Sequence, residues 1–133
     1  MSHVDEVCLI RRRSLRMLYR AKECLRDGDY DLAVFLAEQA VQLYIKSVIL
    51  EVLGEMPRTH VIRQLLHYLR NAIEDKNSID NFIRHNRMLF SALEEAYLAS
   101  RYFFKVYSRE EAETLVKFAE EVISFVKNLK SKA

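Results

Sequence analysis

The chain has 133 residues, of which 50% are hydrophobic and 30% charged, so it is large enough to bury a core and polar enough for a soluble surface. Two glycines and one proline leave few positions for tight turns, which argues against a β-sandwich or an α/β fold. A net charge of only +2 at pH 7 gives no general indication of a polyanionic partner.

The first predicted helix spans residues 4–26 and ends before Gly28, which suits a left-handed cap. Its second half carries a run of basic side chains that only Glu23 offsets: Arg11, Arg12, Arg13, Arg16, Arg20, Lys22 and Arg26. Such a run is either a track for phosphates or a set of partners for carboxylates on other helices, namely Glu94, Glu95, Glu120 and Glu121. Because the overall charge is near zero, we favour the pairing interpretation.

The second predicted helix, residues 30–53 with Asp29 as its cap, is apolar on nearly every side and is therefore wrapped by other helices. Gln39, Gln42 and Lys46 interrupt it at helical spacing. A lysine in a buried helix must reach solvent, find a carboxylate or face a cleft. Gln42 lies one turn from Lys46, so both fit one cleft, although Lys46 reaching solvent at the bundle edge is an equal alternative.

A short third helix is predicted over residues 60–74, after a loop that Pro57 enforces. His60, Arg63, His67 and Arg70 form a polar stripe along it, either an anion site or a solvated face. A polar break follows, where Asn77 or Ser78 caps a fourth helix over residues 79–103.

Ser108 and Glu111 form a capping box that opens a fifth helix, residues 109–130. The elements together predict an all-α fold: an antiparallel up-and-down bundle of five helices, four long and one short crossover, in a single domain over residues 1–133.

The sequence offers little conventional chemistry. Cys8 and Cys24 share the first helix about 24 Å apart, so they cannot form a disulfide with each other. There is no zinc-binding cysteine or histidine cluster, no glycine-rich phosphate loop and no recognisable catalytic set, so we expect no metal and no cofactor. The chain opens directly into a charged helix and lacks an unbroken apolar run of roughly 18 residues, so we expect a cytoplasmic protein without a signal peptide or a membrane span.

Several short sequence motifs follow one another in an order that resembles a known protein family. Gly-Asp-Tyr-Asp at residues 28–31 is followed by Phe35, Gln39-Ala40 and Lys46, then by Gly54, Pro57, Thr59-His60, Leu65-Leu66 and finally Ala99-Ser100-Arg101-Tyr102. This order resembles the HEPN domain family of nucleotide and RNA biology. The resemblance implies a helical bundle, usually a homodimer, often in complex with a small nucleotidyltransferase. Many HEPN members are metal-independent ribonucleases, among them toxins of toxin–antitoxin pairs.

Those ribonucleases carry Arg-x(4–6)-His near the end of the fourth helix. In this chain the residues at that distance from Arg101 are Val106, Tyr107 and Ser108, and none is histidine. We therefore assign no catalytic residue and expect no enzyme, but a module that binds a nucleotide, an RNA phosphate or a partner nucleotidyltransferase. The expected contacts are Arg101, Tyr102, Lys46, His60 and Gln42. The alternatives are an RNA-cleaving toxin that uses Arg101 with His60 or His85, and a bundle that only scaffolds a partner.

Overall fold

The computed structural model of the chain describes residues 2–102 and 105–129, and it describes only the backbone of residues 100–102. Within those ranges there is no β-strand, and the all-α bundle predicted from the sequence is confirmed. The helices are α1 (His3–Arg26), α2 (Tyr30–Leu53), α3 (Ile62–Leu69), α4 (Lys76–His85), α5 (Arg87–Tyr102) and α6 (Arg109–Lys127), with a 3₁₀ turn at Arg70–Ala72 after α3. The bundle thus has six α-helices where five were predicted, because the predicted fourth helix is divided in two.

Helices α1 and α2 form an antiparallel hairpin. Gly28 has a φ of 80°, the left-handed conformation that only glycine adopts without strain. Asp29 occupies the N-cap position of α2, as predicted, but its side chain makes no capping bond. With φ −91° and ψ 73°, Asp29 lies outside the extended geometry usual for an N-cap, and its backbone N–H donates to the Cys24 carbonyl at 2.8 Å.

Helix α2 is the centre of the bundle, and α1, α3, α5 and α6 all pack against it. Buried apolar side chains from all six helices form one cluster, from Ala21 on α1 and Ile79 on α4 to Phe118 on α6. Among the described helices α2 alone is long and apolar enough to cross a membrane, but 61% of its most apolar window is buried inside the bundle. A core helix of a globular bundle has the same composition, and burial on this scale fits that interpretation.

The loop between α2 and α3 determines where His60 lies. Gly54 caps α2 in the left-handed conformation, with φ 75°. Helix α3 begins at Ile62, two residues later than predicted, because Val61 is extended and donates its N–H to the Thr59 hydroxyl at 3.2 Å. His60 is therefore a loop residue and not part of the helix.

The predicted fourth helix breaks at Asn86, which has φ −123° and ψ 28°. Its side-chain amide donates to the Phe82 carbonyl at 2.9 Å, so a side chain replaces a backbone donor at this turn. The predicted caps Asn77 and Ser78 are also wrong, because Asp75 is the cap and its carboxylate accepts from the Ser78 N–H at 3.3 Å.

The capping box of α6 is confirmed. The Ser108 hydroxyl accepts from the Glu111 N–H at 3.1 Å, and the Glu111 carboxylate accepts from the Ser108 N–H at 2.9 Å. These bonds satisfy two backbone donors that an open helix end leaves unpaired. Helix α6 ends at Lys127, and the predicted end at residue 130 lies outside the described part of the chain.

Candidate functional site

A polar stripe on α2 consists of Glu38, Gln42 and Lys46, spaced one turn apart. Glu38 is fully buried, with 0% of its surface exposed. Its carboxyl group accepts hydrogen bonds from the side-chain amides of Gln42 at 2.5 Å and Gln39 at 2.8 Å. Sequence reasoning missed Glu38, although its place four residues before Gln42 on an otherwise apolar helix was the available signal. A buried carboxyl group that amides hold in place is a specific polar feature in an apolar core.

Lys46 lies at the half-buried end of this stripe. Burial lowers the pKa of the Lys46 ammonium group, and the negative charge of Glu38 opposes that effect. The ammonium group is therefore partly dehydrated and gains less from water than an exposed lysine does. An anionic ligand beside it would restore part of the lost solvation energy, so Lys46 is suited to an anion.

The His60 ring packs against an aromatic ring on α5. The rings of His60 and Tyr97 are stacked, with centroids 4.1 Å apart and an angle of 20° between their planes. Tyr97 is half-buried and lies one turn before Arg101 on α5. The stack therefore places the His60 imidazole beside the helix face that leads towards Arg101.

The predicted site residues fall into two groups in the structure. Gln42 and Lys46 lie with Glu38 on α2, and His60 lies on Tyr97 of α5. Arg101 and Tyr102 form the last residues of α5, but their side chains lie outside the described part of the chain. Helices α2 and α5 pack against each other, so both groups belong to neighbouring elements of the bundle.

The two arginines of the polar stripe predicted on the third helix form ion pairs within the subunit. The Arg63 guanidinium is held by Glu94 at 2.7 Å, and the Arg63 backbone N–H also donates to Glu94, at 2.9 Å. These bonds raise the pKa of Arg63, and its positive charge is already paired with the carboxylate of Glu94. Arg70, in the 3₁₀ turn after α3, forms a side-chain ion pair with Asp80 at 2.8 Å. The two arginines therefore anchor α3 and the turn after it to α5 and α4.

Some basic side chains of the α1 run form ion pairs, and others remain exposed. Arg11 bonds to Glu51 at 3.0 Å and Lys22 to Glu120 at 2.7 Å. Glu120 is one of the four predicted partners, while Glu94 and Glu95 pair with Arg63 and Lys105 in the described structure. The pairing interpretation is thus correct in part. Several arginines of the run stay exposed: Arg12, Arg13, Arg16 and Arg26.

The aromatic residues before α6 include Tyr107, which is 6% exposed. Its backbone N–H donates to Asp31 at 2.9 Å, and the Lys105 ammonium lies 5.0 Å from its ring centre. Burial, together with nearby negative charges, raises the pKa of Tyr107 to about 12. Tyr107 thus joins the start of α6 to the start of α2. Phe103 and Phe104, which precede it in the sequence, lie outside the described residues.

Residues 2–102 and 105–129 contain no group of three or more His, Cys, Asp or Glu side chains that would hold a metal ion, so far as their side chains are described. Cys8 and Cys24 are both free thiols on α1. His85 is exposed, with its Nδ1 atom 2.7 Å from the Asn81 carbonyl of its own helix.

Solved structures with the same fold include the following two. The crystal structure of TT1696 from Thermus thermophilus aligns with a TM-score of 0.72 and 24% identity over 91% of this chain and 95% of that one. ST0689, an archaeal HEPN homologue, aligns with a TM-score of 0.66 and 22% identity over 91% and 94% of the two chains. No protein of curated function matches the sequence. The family model of the HEPN domain matches residues 8–129, and the chain therefore belongs to the HEPN domain family.

Proposed function

We propose that this HEPN domain binds a nucleotide or an RNA phosphate between the polar stripe of α2 and the end of α5. The observation that carries the proposal is the half-buried Lys46, whose pKa burial lowers, on the same stripe as the buried Glu38. A partly dehydrated cation in an organised polar setting is better suited to an anion than to water. Arg101, at the end of a neighbouring helix, would supply a second positive charge.

Each proposed contact has a distinct role. Lys46 and Arg101 would bind phosphate oxygens, Arg101 through its fork of N–H donors. Tyr102 and the exposed ring of His60 would stack on a base, which single-stranded RNA offers freely. Gln42 is only 5% exposed, so we assign it to holding Glu38 in place beside Lys46.

The proposal does not include cleavage, because the Arg-x(4–6)-His motif is missing at Arg101. A ribonuclease would instead need Arg101 with His60 or His85 as the proton-transfer group. Incubating the protein with total RNA without metal separates the two functions. Intact RNA that co-migrates with the protein supports binding. Cleavage of the RNA that is abolished by Arg101→Ala would contradict a binding-only function and support the RNA-cleaving toxin.

The binding itself is tested with a labelled single-stranded RNA of 12 nucleotides and, separately, with mononucleotides. Fluorescence polarisation should give a dissociation constant of roughly micromolar order for the RNA. The affinity should fall as salt rises, because phosphate contacts release counterions. If the protein binds neither RNA nor nucleotides at low salt, the proposal is contradicted.

We also propose a homodimer and a partner nucleotidyltransferase, as membership of the family implies. The apolar surface of α2 is used inside the subunit, so it does not itself argue for a dimer. Exposed Met88 and Leu98 on α5, 86% and 45% accessible, are better candidates for an interface. Light scattering at micromolar concentration should give twice the 15.7 kDa of one chain, and a monomer would contradict the dimer. Co-purification with a nucleotidyltransferase encoded beside it would test the partner.

A further inference from the structure

A groove with a basic rim runs along one side of the α1–α2 hairpin. Its open volume is about 460 Å³. Met17, Leu32 and Leu36 form its apolar floor, and Arg13 and Arg16 stand on its α1 side, with Tyr19, Arg20 and Cys24 completing the lining. We call this surface the α1–α2 groove. It is separate from the polar stripe of α2, because none of the stripe residues lines it.

Two of the three arginines that line the groove, Arg13 and Arg16, are not neutralised within the described part of the subunit. No carboxylate lies within ion-pair distance of Arg13 or Arg16 in the part of the chain that the structure describes, whereas Arg11 and Lys22 on the same helix have partners on α2 and α6. Arg13 and Arg16 lie three residues apart on one helical face, where like charges repel. Their arrangement is therefore stabilised when an acidic surface covers it.

The apolar part of the groove is also incompletely covered. Tyr19 is 58% exposed and Leu32 is 42% exposed. The Arg20 guanidinium lies 6.0 Å from the Tyr19 ring centre and pairs with Glu23, so Arg20 extends the rim over an aromatic surface. Apolar area next to fixed positive charge is typical of a surface that binds a protein segment.

We propose that the α1–α2 groove binds an acidic amphipathic helix of a partner protein. Leucine-like side chains of that helix would cover the floor, and its glutamate or aspartate side chains would pair with Arg13 and Arg16. The groove residues from Arg13 to Cys24 extend about 16 Å along α1, which matches roughly three turns of a docked helix.

Two other occupants fit the surface less well. A two-fold contact between copies of this chain would bring the same arginines of both subunits to one interface, where like charges repel. Single-stranded RNA would satisfy the arginines, but it stacks bases on aromatic rings, and Tyr19 is the single aromatic residue among those that line the groove. The aliphatic floor is left uncovered by a nucleic acid.

The test uses a labelled 20-residue peptide with leucines at helical spacing and glutamates on the other positions, beside a scrambled peptide of equal composition. Fluorescence polarisation should show that the patterned peptide binds at least about tenfold more tightly than the scrambled one. The variant Arg13→Glu/Arg16→Glu should weaken binding by at least about tenfold, and salt should weaken binding to the unaltered protein. Arg13 and Arg16 are exposed, so circular dichroism should show a folded variant.

The matched control is Arg12→Glu/Arg26→Glu, which removes the same charge from exposed positions of α1 outside the groove. It should change the affinity by less than about threefold. Equal losses in both double variants, or equal binding of patterned and scrambled peptides, would overturn the proposal. Tighter binding of a 12-nucleotide RNA that depends on Arg13 and Arg16 would overturn it in favour of a nucleic-acid surface.

Discussion

The imidazole of His60 lies flat against the phenol of Tyr97, with ring centroids 4.1 Å apart. One helical turn away, Arg63 and Glu94 form a charged pair between α3 and the same face of α5. Two contacts, one aromatic and one ionic, thus fix the start of α3 on α5. This attachment gives the exposed His60 ring a defined position beside the turn that carries Arg101.

Replacing His60 separates its packing role from a ligand role. His60→Phe keeps an aromatic ring on Tyr97, so the free energy of unfolding should change little. His60→Ala removes the stack and should lower it by about 0.5–1.5 kcal/mol. If the His60 ring stacks on a base, His60→Ala should bind the labelled RNA several-fold more weakly, whereas His60→Phe should keep most of the affinity. Normal RNA binding by folded His60→Ala would remove His60 from the proposed site.

Lys46→Met tests the polar stripe of α2. The substitution removes a dehydrated charge but also its attraction to Glu38, so the two effects on stability oppose each other. We expect the free energy of unfolding to fall by less than about 3 kcal/mol, the loss that follows when one partner of a fully buried charge pair is removed. RNA affinity should fall several-fold. Lys117→Met, at an exposed position on α6, is the matched control and should leave the affinity unchanged.

Tyr107 makes stability depend on pH in the alkaline range. Its pKa is about 12 in the folded chain against an ordinary value of 10, so the unfolded chain loses this proton first. The contribution to stability is complete below pH 10 and is lost as pH rises towards 12, by an amount of order 2 kcal/mol. Urea unfolding across this window should show a steeper loss of stability for the unaltered protein than for Tyr107→Phe.

The control for this measurement is Tyr19→Phe, since Tyr19 is 58% exposed. At neutral pH Tyr107→Phe should be neutral or slightly stabilising, because the buried hydroxyl has no hydrogen-bond partner among the described residues. A large loss of stability at neutral pH, or a pH profile identical to that of the unaltered protein, would show that the Tyr107 hydroxyl is bonded or hydrated.

The sequence predicted those features that depend on local chemistry. Gly28 follows the end of α1 in the left-handed conformation, and Ser108 begins α6 with its capping box. The signals act over three or four residues, so they are visible without tertiary information. The break at Asn86 is different, because asparagine is tolerated within helices and the apolar pattern continues past it. The end of α4 became visible only in the structure, where the Asn86 side chain bonds to the Phe82 carbonyl.

The polar residues of the candidate site could be picked out from the sequence, but the ion-pair partners of the charged residues could not. Lys46 and Gln42 stood out because polar residues are rare in an apolar helix. Glu38 carried the same sequence signal, and only its complete burial required the structure. Charge partners depend on which helices pack together. Glu94 was expected to face α1, but it binds Arg63 because α3 and α5 are neighbours. Sequence spacing does not contain that information.

The role of Arg101 in RNA binding is tested most directly by comparing Arg101→Ala with Arg87→Ala, since the two arginines lie at opposite ends of α5. If Arg101 contacts RNA phosphate, its removal should lower the affinity for the 12-nucleotide RNA at least several-fold and reduce the salt slope by about one. The melting temperature should change little, and Arg87→Ala should bind as the unaltered protein does. Unchanged RNA affinity of folded Arg101→Ala would contradict the proposed site.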